Sequence, residues 1–478
     1  MLIHGDYIYV NAQTRRLAIT AALLTGWIIS PASAQTSSSS VSDSVGVSYA
    51  SRLTVTPKAP SRIAMKVLPN GSCVLHAEGS NDSEHSLKLF ADSEGQVQFH
   101  VQPLSQSADV ARFQVDCQAD GQSAQFPLEL RADWAPTPDM PAPAVPDLHS
   151  THGGKIRPAL TPDDAAHLSA EELLRGEYPP RPNPQQAPDA YASWLRAVTK
   201  PATFVPARLM SNAGITHTHR QVTAGSETSS NWSGFELQGP PFSFDSVFGT
   251  WNVPAIALGE PDKSTYSAFW IGIDGDPAAD PFCFISQICD LVQEGTEQDM
   301  TEICFFGACF DFTNYYAWSE FLPQQQTEQV IGGFHVNPGD EIYSTFSLCS
   351  FGIYGICFSQ YNGTQASFVM ENISRSEYTQ FYVPRGGTFV NASEAEWIME
   401  RPTVNGSLPD LSTYLIAVMN GAYACNTGFP DSANCMNYNS PKKGFTSQKI
   451  SMYNGKDLLS FPIPVSSTEM EFFWTNWH

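Results

Sequence analysis

From residue 231 to the C-terminus the chain is a succession of short runs rich in aromatic and β-branched residues, each closed by Gly, Pro, Asn or Asp. Such runs lie at 230–237, 246–253, 266–273, 314–321, 341–348, 366–370, 395–400, 413–419 and 469–474, and no helix-period segment separates them. Many short strands without intervening helices can bury their apolar faces only by stacking sheets or closing one on itself. A mainly β fold with a C-terminal antiparallel β-sandwich is therefore expected.

The 478 residues exceed one typical domain, so further units should precede the sandwich. The formal net charge is −23, and it is placed unevenly. Residues 231–478 hold 27 Asp and Glu against 8 Lys and Arg, whereas residues 151–230 hold 7 against 8. So acidic a surface argues against a nucleic acid or an anionic membrane as partner. It suits a protein working at low pH, and it equally suits any soluble exported surface.

At the N-terminus, Arg15-Arg16, an apolar run over 17–29 and Ala32-Ser33-Ala34 stand in the order of a secretory signal. Residues 1–34 are read as that signal, cut near Ala34, and the protein as secreted, extracellular or periplasmic. The paired arginines also permit twin-arginine export. No later run is long and apolar enough to span a bilayer. Ten cysteines in an exported chain point to disulfides. The simplest pairing joins neighbours: Cys73 with Cys117, Cys283 with Cys289, Cys304 with Cys309, Cys349 with Cys357, and Cys425 with Cys435. Spacing alone leaves the connectivity open. No histidine stands in zinc-ligand spacing to these pairs, and neither a metal nor a cofactor is expected.

Residues 35–134 alternate apolar and polar positions in short runs, with turn signals at Asn70-Gly71 and Asp120-Gly121, and read as a small β-sandwich of unknown role. Residues 135–160, with five prolines by Pro146, read as a stiff linker. Within 161–228, Thr161 and Pro162 open a helix that stops before Gly176, and 187–198 forms a second. This segment is read as a propeptide, an intramolecular inhibitor whose arginines pair with the acidic domain at neutral pH and let go as carboxylates protonate. A plain interdomain linker is the alternative. His217 and His219, near its end, are expected to be exposed loop residues.

Strand periodicity gives the remaining motifs their meaning, because residues i, i+2 and i+4 share a face. Trp270, Gly272 and Asp274 then point one way, Trp318 and Glu320 share a face, and Glu394, Glu396, Ile398 and Glu400 lie together opposite Trp397 and Met399. If these strands are neighbours, one face carries several carboxyls, two indoles and Gln293. Crowded carboxyls cannot all ionise, so at least one should titrate high.

Asn231-Trp232-Ser233-Gly234, Gly249 to Pro254, Trp270 to Asp276, Val292-Gln293-Glu294-Gly295, Ala317 to Pro323 and Ala395 to Glu400 follow one another in an order that resembles the glutamic peptidases, or eqolisins. The resemblance covers about residues 229–478 and implies a concanavalin-like sandwich of two curved antiparallel sheets. It implies a secreted acid endopeptidase, acting on protein or peptide substrates and expected to be a monomer, with Gln293 and Glu400 catalytic. Trp270, Asp274, Trp318, Glu320 and Glu396 would brace the site or bind substrate, and Glu396 shares a face with Glu400 and competes for its role. The chain departs from the fungal pattern at Glu294, Glu297 and Tyr316, and has cysteine-bearing insertions at 282–289 and 303–309. No G-x-S-x-G or H-E-x-x-H occurs. The aromatic, acidic face would also serve a glycoside hydrolase with Glu320 and Glu400 as its carboxyl pair, or a non-catalytic carbohydrate-binding module.

Overall fold

A computed structural model describes residues 60–80, 85–103, 110–132, 155–257, 263–279, 290–306, 308–349, 365–386, 388, 390–426, 435–439 and 441–478, with short strands at 32–33, 40–42, 48–50, 52–55, 351–353 and 356–358. The signal, the run of linker prolines, and the Cys283–Cys289 and Cys349–Cys357 pairings lie outside the residues whose side chains are described. The other three disulfides, Cys73–Cys117, Cys304–Cys309 and Cys425–Cys435, are formed as expected.

The C-terminal half is a sandwich of two sheets. The first runs, strand by strand, Thr446–Asn454, Trp232–Gln238, Glu394–Glu400, Ser264–Ile273, Leu291–Phe305, Ala308–Leu322 and Gln329–Gly332, every pairing antiparallel. The second runs Glu377–Pro384, Gln365–Asn372, Glu341–Cys349, Ser246–Asn252, Ile416–Cys425, Met470–Trp474, Asp457–Pro464, and returns to Thr446–Asn454. That last strand pairs into both sheets and hinges them along one edge.

Alternation assigns the two faces of the first sheet. Phe269, Ile271, Val292, Trp397 and Met399 point inward and meet Trp251, Phe346 and Met419 of the second sheet in the main core. Trp232, Trp270, Trp318 and Ile398 point outward and form a cluster of their own. A one-residue slip in any of these strands would exchange the two sets.

The segment before the sandwich is folded onto it rather than tethered to it. The expected first helix is two, Pro162–His167 and Ala170–Arg175, because Ser169 makes a second N-cap whose capping box with Glu172 restarts the chain after Leu168. Pro188–Val198 follows, burying Trp194. Ala202–Phe204 then adds a parallel strand beside Glu377–Pro384, and Arg208–Ser211 an antiparallel one beside Gln329–Gly332. One short segment thus covers an edge of each sheet. Arg157, at the end of the expected linker, is instead docked: its Nη2 donates to both carboxyl oxygens of Glu371 at 2.7 Å, with Tyr178 and Tyr378 against the guanidinium.

The N-terminal unit builds a sheet from Ser72–Ala77, Leu87–Phe90, Val110–Ala119 and Gln122–Ala132; Asp120 and Gly121, both at positive φ, form the two-residue turn joining the last two. Its other strands, Ser61–Lys66 and Gln96–Pro103, continue the first sheet of the sandwich, since Gln96–Pro103 pairs with Phe310–Thr313. The insertion over 303–309 is therefore the far end of a long hairpin, and Ile303, Ala308, Phe310 and Phe312 complete the N-terminal unit's core. Phe310 is buried edge-on to Phe113 at 5.5 Å. Phe310→Ala should cost about 3–5 kcal/mol in chemical denaturation, by transfer and cavity terms together; a loss under about 1 kcal/mol would mean this core is not shared.

Candidate active site

The outward face of the first sheet carries the predicted residues in register. Across the strands, Glu320, Gln293, Gly272, Glu396 and Glu236 form one row; Trp318, Gly295, Trp270, Ile398 and Gly234 the next; Tyr316, Glu297, Ala268, Glu400 and Trp232 a third. Trp270 sits between glycines for a steric reason: a Cβ on Gly295 would come within 2.5 Å of the Trp270 Cβ, and one on Gly272 within 2.6 Å of its ring. The indole is thereby free to lie along the face, and its Nε1–H donates to Glu400 Oε2 at 2.9 Å.

A residue of the preceding segment lies in the middle of this face. Ile215–Thr216 pairs with Thr403–Val404, just beyond Glu400, and carries His217 into the site. Every binding group of His217 is engaged. Its N–H donates to Glu320 Oε2 at 2.8 Å, and its carbonyl accepts from Gln293 Nε2 at 2.9 Å. Nδ1 lies 3.0 Å from Glu400 Oε2, and Nε2 lies 2.9 Å from Glu328 Oε2 and 3.7 Å from Glu297. The ring stacks on Trp318 at 3.4 Å, 6° from parallel. The expectation of an exposed loop histidine is overturned: His217 is 0% exposed. His219 is half-buried. Burial by itself would depress an imidazole, but the facing carboxyls of Glu400 and Glu328 prevail and raise His217 to about 10. Carboxyls opposite both ring nitrogens fit imidazolium, which donates at both and has no lone pair for a metal. His217, Glu297 and Glu328, whose ligand atoms lie within 4.8 Å of one another, are thus already matched as an ion cluster.

Three residues further on, Arg220 fills a second acidic nest. Its N–H donates to the Gly275 carbonyl at 3.0 Å, its Nη1 to Asp276, and Glu236 lies 3.7 Å away. Glu396 belongs to this nest rather than to the Gln293–Glu400 centre. Burial first, then Glu394 and Glu236, push its carboxyl well above the usual range. Asp274, at φ 65°, accepts from the backbone N–H groups of Ala392, Ser393 and Glu394 and so fixes the entry to the Glu400 strand. Of the predicted set, Gln293, Glu400, Trp318 and Glu320 touch His217, Trp270 touches it through Glu400, and Asp274 and Glu396 stand apart.

Glu328 is the functional candidate that motif reasoning passes over. Tyr316 Oη lies 2.8 Å from Glu328 Oε1 as donor, with Asp299 at 3.2 Å behind it. Of the departures, Tyr316 and Glu297 line this region, while Glu294 faces the sandwich interior and accepts from Ser344 Oγ at 2.7 Å.

The Gln293 amide and the Glu400 carboxyl thus meet on one residue, the first at its backbone carbonyl and the second at its imidazole. Residues 230–456, just under half of the chain, match the model of the Peptidase A4 family, and this region is similar to the glutamic endopeptidases. Among solved structures, scytalido-glutamic peptidase with a transition-state analogue inhibitor is 20% identical, at a TM-score of 0.35, over 52% of this chain and 98% of its own. SCP-B, an eqolisin in complex with the tripeptide Ala-Ile-His, is 18% identical, at 0.31, over the same shares. No curated protein sequence matches the chain.

The buried carboxyls fix a direction for stability against pH. Burial, then like charges, raise Glu236 to about 8 and Asp299 to about 7 and hold Glu297, Glu394 and Glu396 well above the usual range, while burial holds Glu320 there against the opposing pull of His217. The folded state then binds protons that the unfolded chain has released, from the ordinary carboxyl range up to about pH 8, so stability rises as pH falls through that window. His217 acts in the same sense, its contribution being whole below the ordinary imidazole range and lost towards pH 10. The melting temperature of the Gln293→Ala chain, used to prevent self-digestion, should be at least about 3 °C higher at pH 5 than at pH 8. An equal or lower value at pH 5 would contradict the buried charge assignment.

Proposed function

We propose that the chain is the latent precursor of an exported, acid-acting endopeptidase in which Gln293 and Glu400 hydrolyse peptide bonds and residues 161–228 are the intramolecular inhibitor. One observation carries the reading: the Gln293 amide and the Glu400 carboxyl both hold His217, a residue of the preceding segment. Gln293 grips its backbone carbonyl, as it would grip the carbonyl of a substrate. A groove filled by peptide backbone supports a peptide ligand over a sugar, and no contact favours the glycoside hydrolase reading.

In the reaction, Glu400 takes a proton from a water and the water oxygen attacks the peptide carbonyl. Gln293 Oε1 and Glu400 Oε1 are both buried and accept from no described protein group, which makes them the acceptors suited to that water's protons. The Gln293 amide donates to the oxyanion, a contact worth roughly 3–4 kcal/mol in comparable sites. Glu400 then passes the proton to the departing amine. Trp270 orients Glu400 through its Nε1–H, and Glu320 accepts from the substrate backbone as it accepts from His217 N–H.

Latency follows from occupancy, since the segment that carries His217 fills the groove a substrate would enter. The arginines add to the hold: Arg157 on Glu371, Arg196 on Glu341 and Arg220 on Asp276. Acid that protonates these carboxyls removes the attraction while leaving the cations solvated.

Gln293→Ala and Glu400→Gln should each lower kcat on denatured protein at acid pH by at least about a hundredfold, whereas Glu396→Gln should stay within about tenfold. Full activity in Gln293→Ala would end the assignment. Brought to about pH 3–4, the wild-type chain should shorten from its N-terminal side, and Gln293→Ala should not; a precursor that stays intact would remove the zymogen part of the reading.

A further inference from the structure

The slot that the His217 ring fills beyond Gln293 and Glu400 has a definite chemistry. Its floor is the flat face of Trp318, 3.4 Å beneath the imidazole. Its end wall is Glu328, 2.9 Å from Nε2, with Glu297 at 3.7 Å. Glu328 is held by Tyr316 Oη and by Asn212 Nδ2. The groups facing the imidazole come from every neighbouring element: Glu400 from one strand, Glu297 and Asp299 from the next, Tyr316 and Glu320 from the third, and Glu328 from the loop after it. Lys88 of the N-terminal unit donates to the Asn212 Oδ1 and Ala213 carbonyl oxygens, at 2.9 and 2.6 Å. Glu297, Glu320, Glu328 and Glu400 are all 0% exposed.

The backbone contacts fix which substrate residue this slot would receive. Gln293 donates to the carbonyl of His217 itself, so the side chain in the slot belongs to the residue that contributes the carbonyl under attack. Resting on the proposed peptidase activity, we infer that this slot is a specificity pocket for a flat cationic side chain, and that the enzyme cuts on the carboxyl side of histidine or arginine, with Glu328 as the selecting residue. In that step water adds across the peptide C–N bond, leaving a carboxyl on the histidine or arginine and a proton on the released amine.

Energetics favour a cation over an apolar residue. A leucine here would take the cation from Glu328 Oε2 and leave that buried oxygen without its partner, a costly arrangement for a charge or a polar group. A phenylalanine would keep the stack on Trp318 and lose the ion pair. Histidine in a free peptide is already cationic at acid pH, so an acid-acting enzyme meets it in the form the slot suits.

Two measurements test this, one of them independent of catalysis. In the first, peptides identical except for His, Arg, Phe or Leu before the scissile bond are offered to the acid-treated full-length protein. His and Arg should exceed Leu by at least tenfold in kcat/KM, and Glu328→Gln should reduce that ratio about tenfold; equal rates, or Phe equal to His, would overturn the inference. In the second, hydrogen exchange of residues 215–220 is followed at pH 7 in the inactive Gln293→Ala chain carrying His217→Leu or His217→Arg. Exchange should rise more than tenfold for leucine and much less for arginine. Faster exchange with leucine alone, where the acid-treated wild-type protein cleaves none of the peptides, would uphold the slot and sink the peptidase reading. Cleavage without preference, together with slow exchange for leucine, would do the reverse.

Discussion

Burying a crowd of carboxyls on one face of a sheet is the constraint around which this molecule is arranged. Glu236, Glu297, Glu320, Glu394, Glu396 and Glu400 are each 0% exposed. Isolated charges in such a place would be too costly to keep, so each carboxyl must hold a proton, accept several hydrogen bonds, or face a cation. The sandwich supplies few cations. The segment before it supplies two, His217 and Arg220, three residues apart and set into separate nests on the same face. Binding of that segment and ionisation of that face are therefore one equilibrium seen from two sides.

The same constraint explains why acid can strengthen the fold while weakening the plug. Protonating a carboxyl that has no cation removes a desolvation cost and stabilises the sandwich. Protonating one that faces an arginine of the preceding segment, as Glu371 faces Arg157, removes part of the attraction that holds the segment down. The register puts the two kinds of carboxyl side by side: Glu396 lies in the row of Gln293, and Glu400 one step along its own strand face beyond Ile398.

How much of this was legible in the sequence depended on whether the information was local. Period-2 alternation placed Trp270, Trp318, Glu320, Glu396 and Glu400 on one face, and the registers agree, because side-chain period is a property of the strand alone. The two-residue turn at Asp120-Gly121 was equally local. The helix predicted from Thr161 was split by Ser169, a cap that the apolar spacing around it disguised. His217 could not be read at all. A histidine in a polar stretch carries no mark of the four carboxyls that three separate strands and a loop bring to it. Glu328 was hidden in the same way, in a Gln-rich loop whose only signal is the acid itself. The one available hint was the near-neutral charge of residues 151–230 against so acidic a domain, which pointed to the pairing and not to its address.

The N-terminal unit enters this account through the hairpin formed by Leu291–Phe305 and Ala308–Leu322. One end of that hairpin carries Gln293 and Glu320; the other carries Phe310 and Phe312 into the N-terminal core. Lys88, from a strand of the same unit, holds the backbone at Ala213, two residues before the segment descends to Ile215 and His217. The unit therefore grips both the strands that present the Gln293 amide and the chain that covers it. Loosening the Phe310 contact should reach the plug through Lys88, whereas removing the His217 charge should leave the Phe310 core undisturbed. That asymmetry follows from connectivity: the hairpin transmits position along its hydrogen-bonded ladder, while a side-chain ion pair transmits nothing once it is broken.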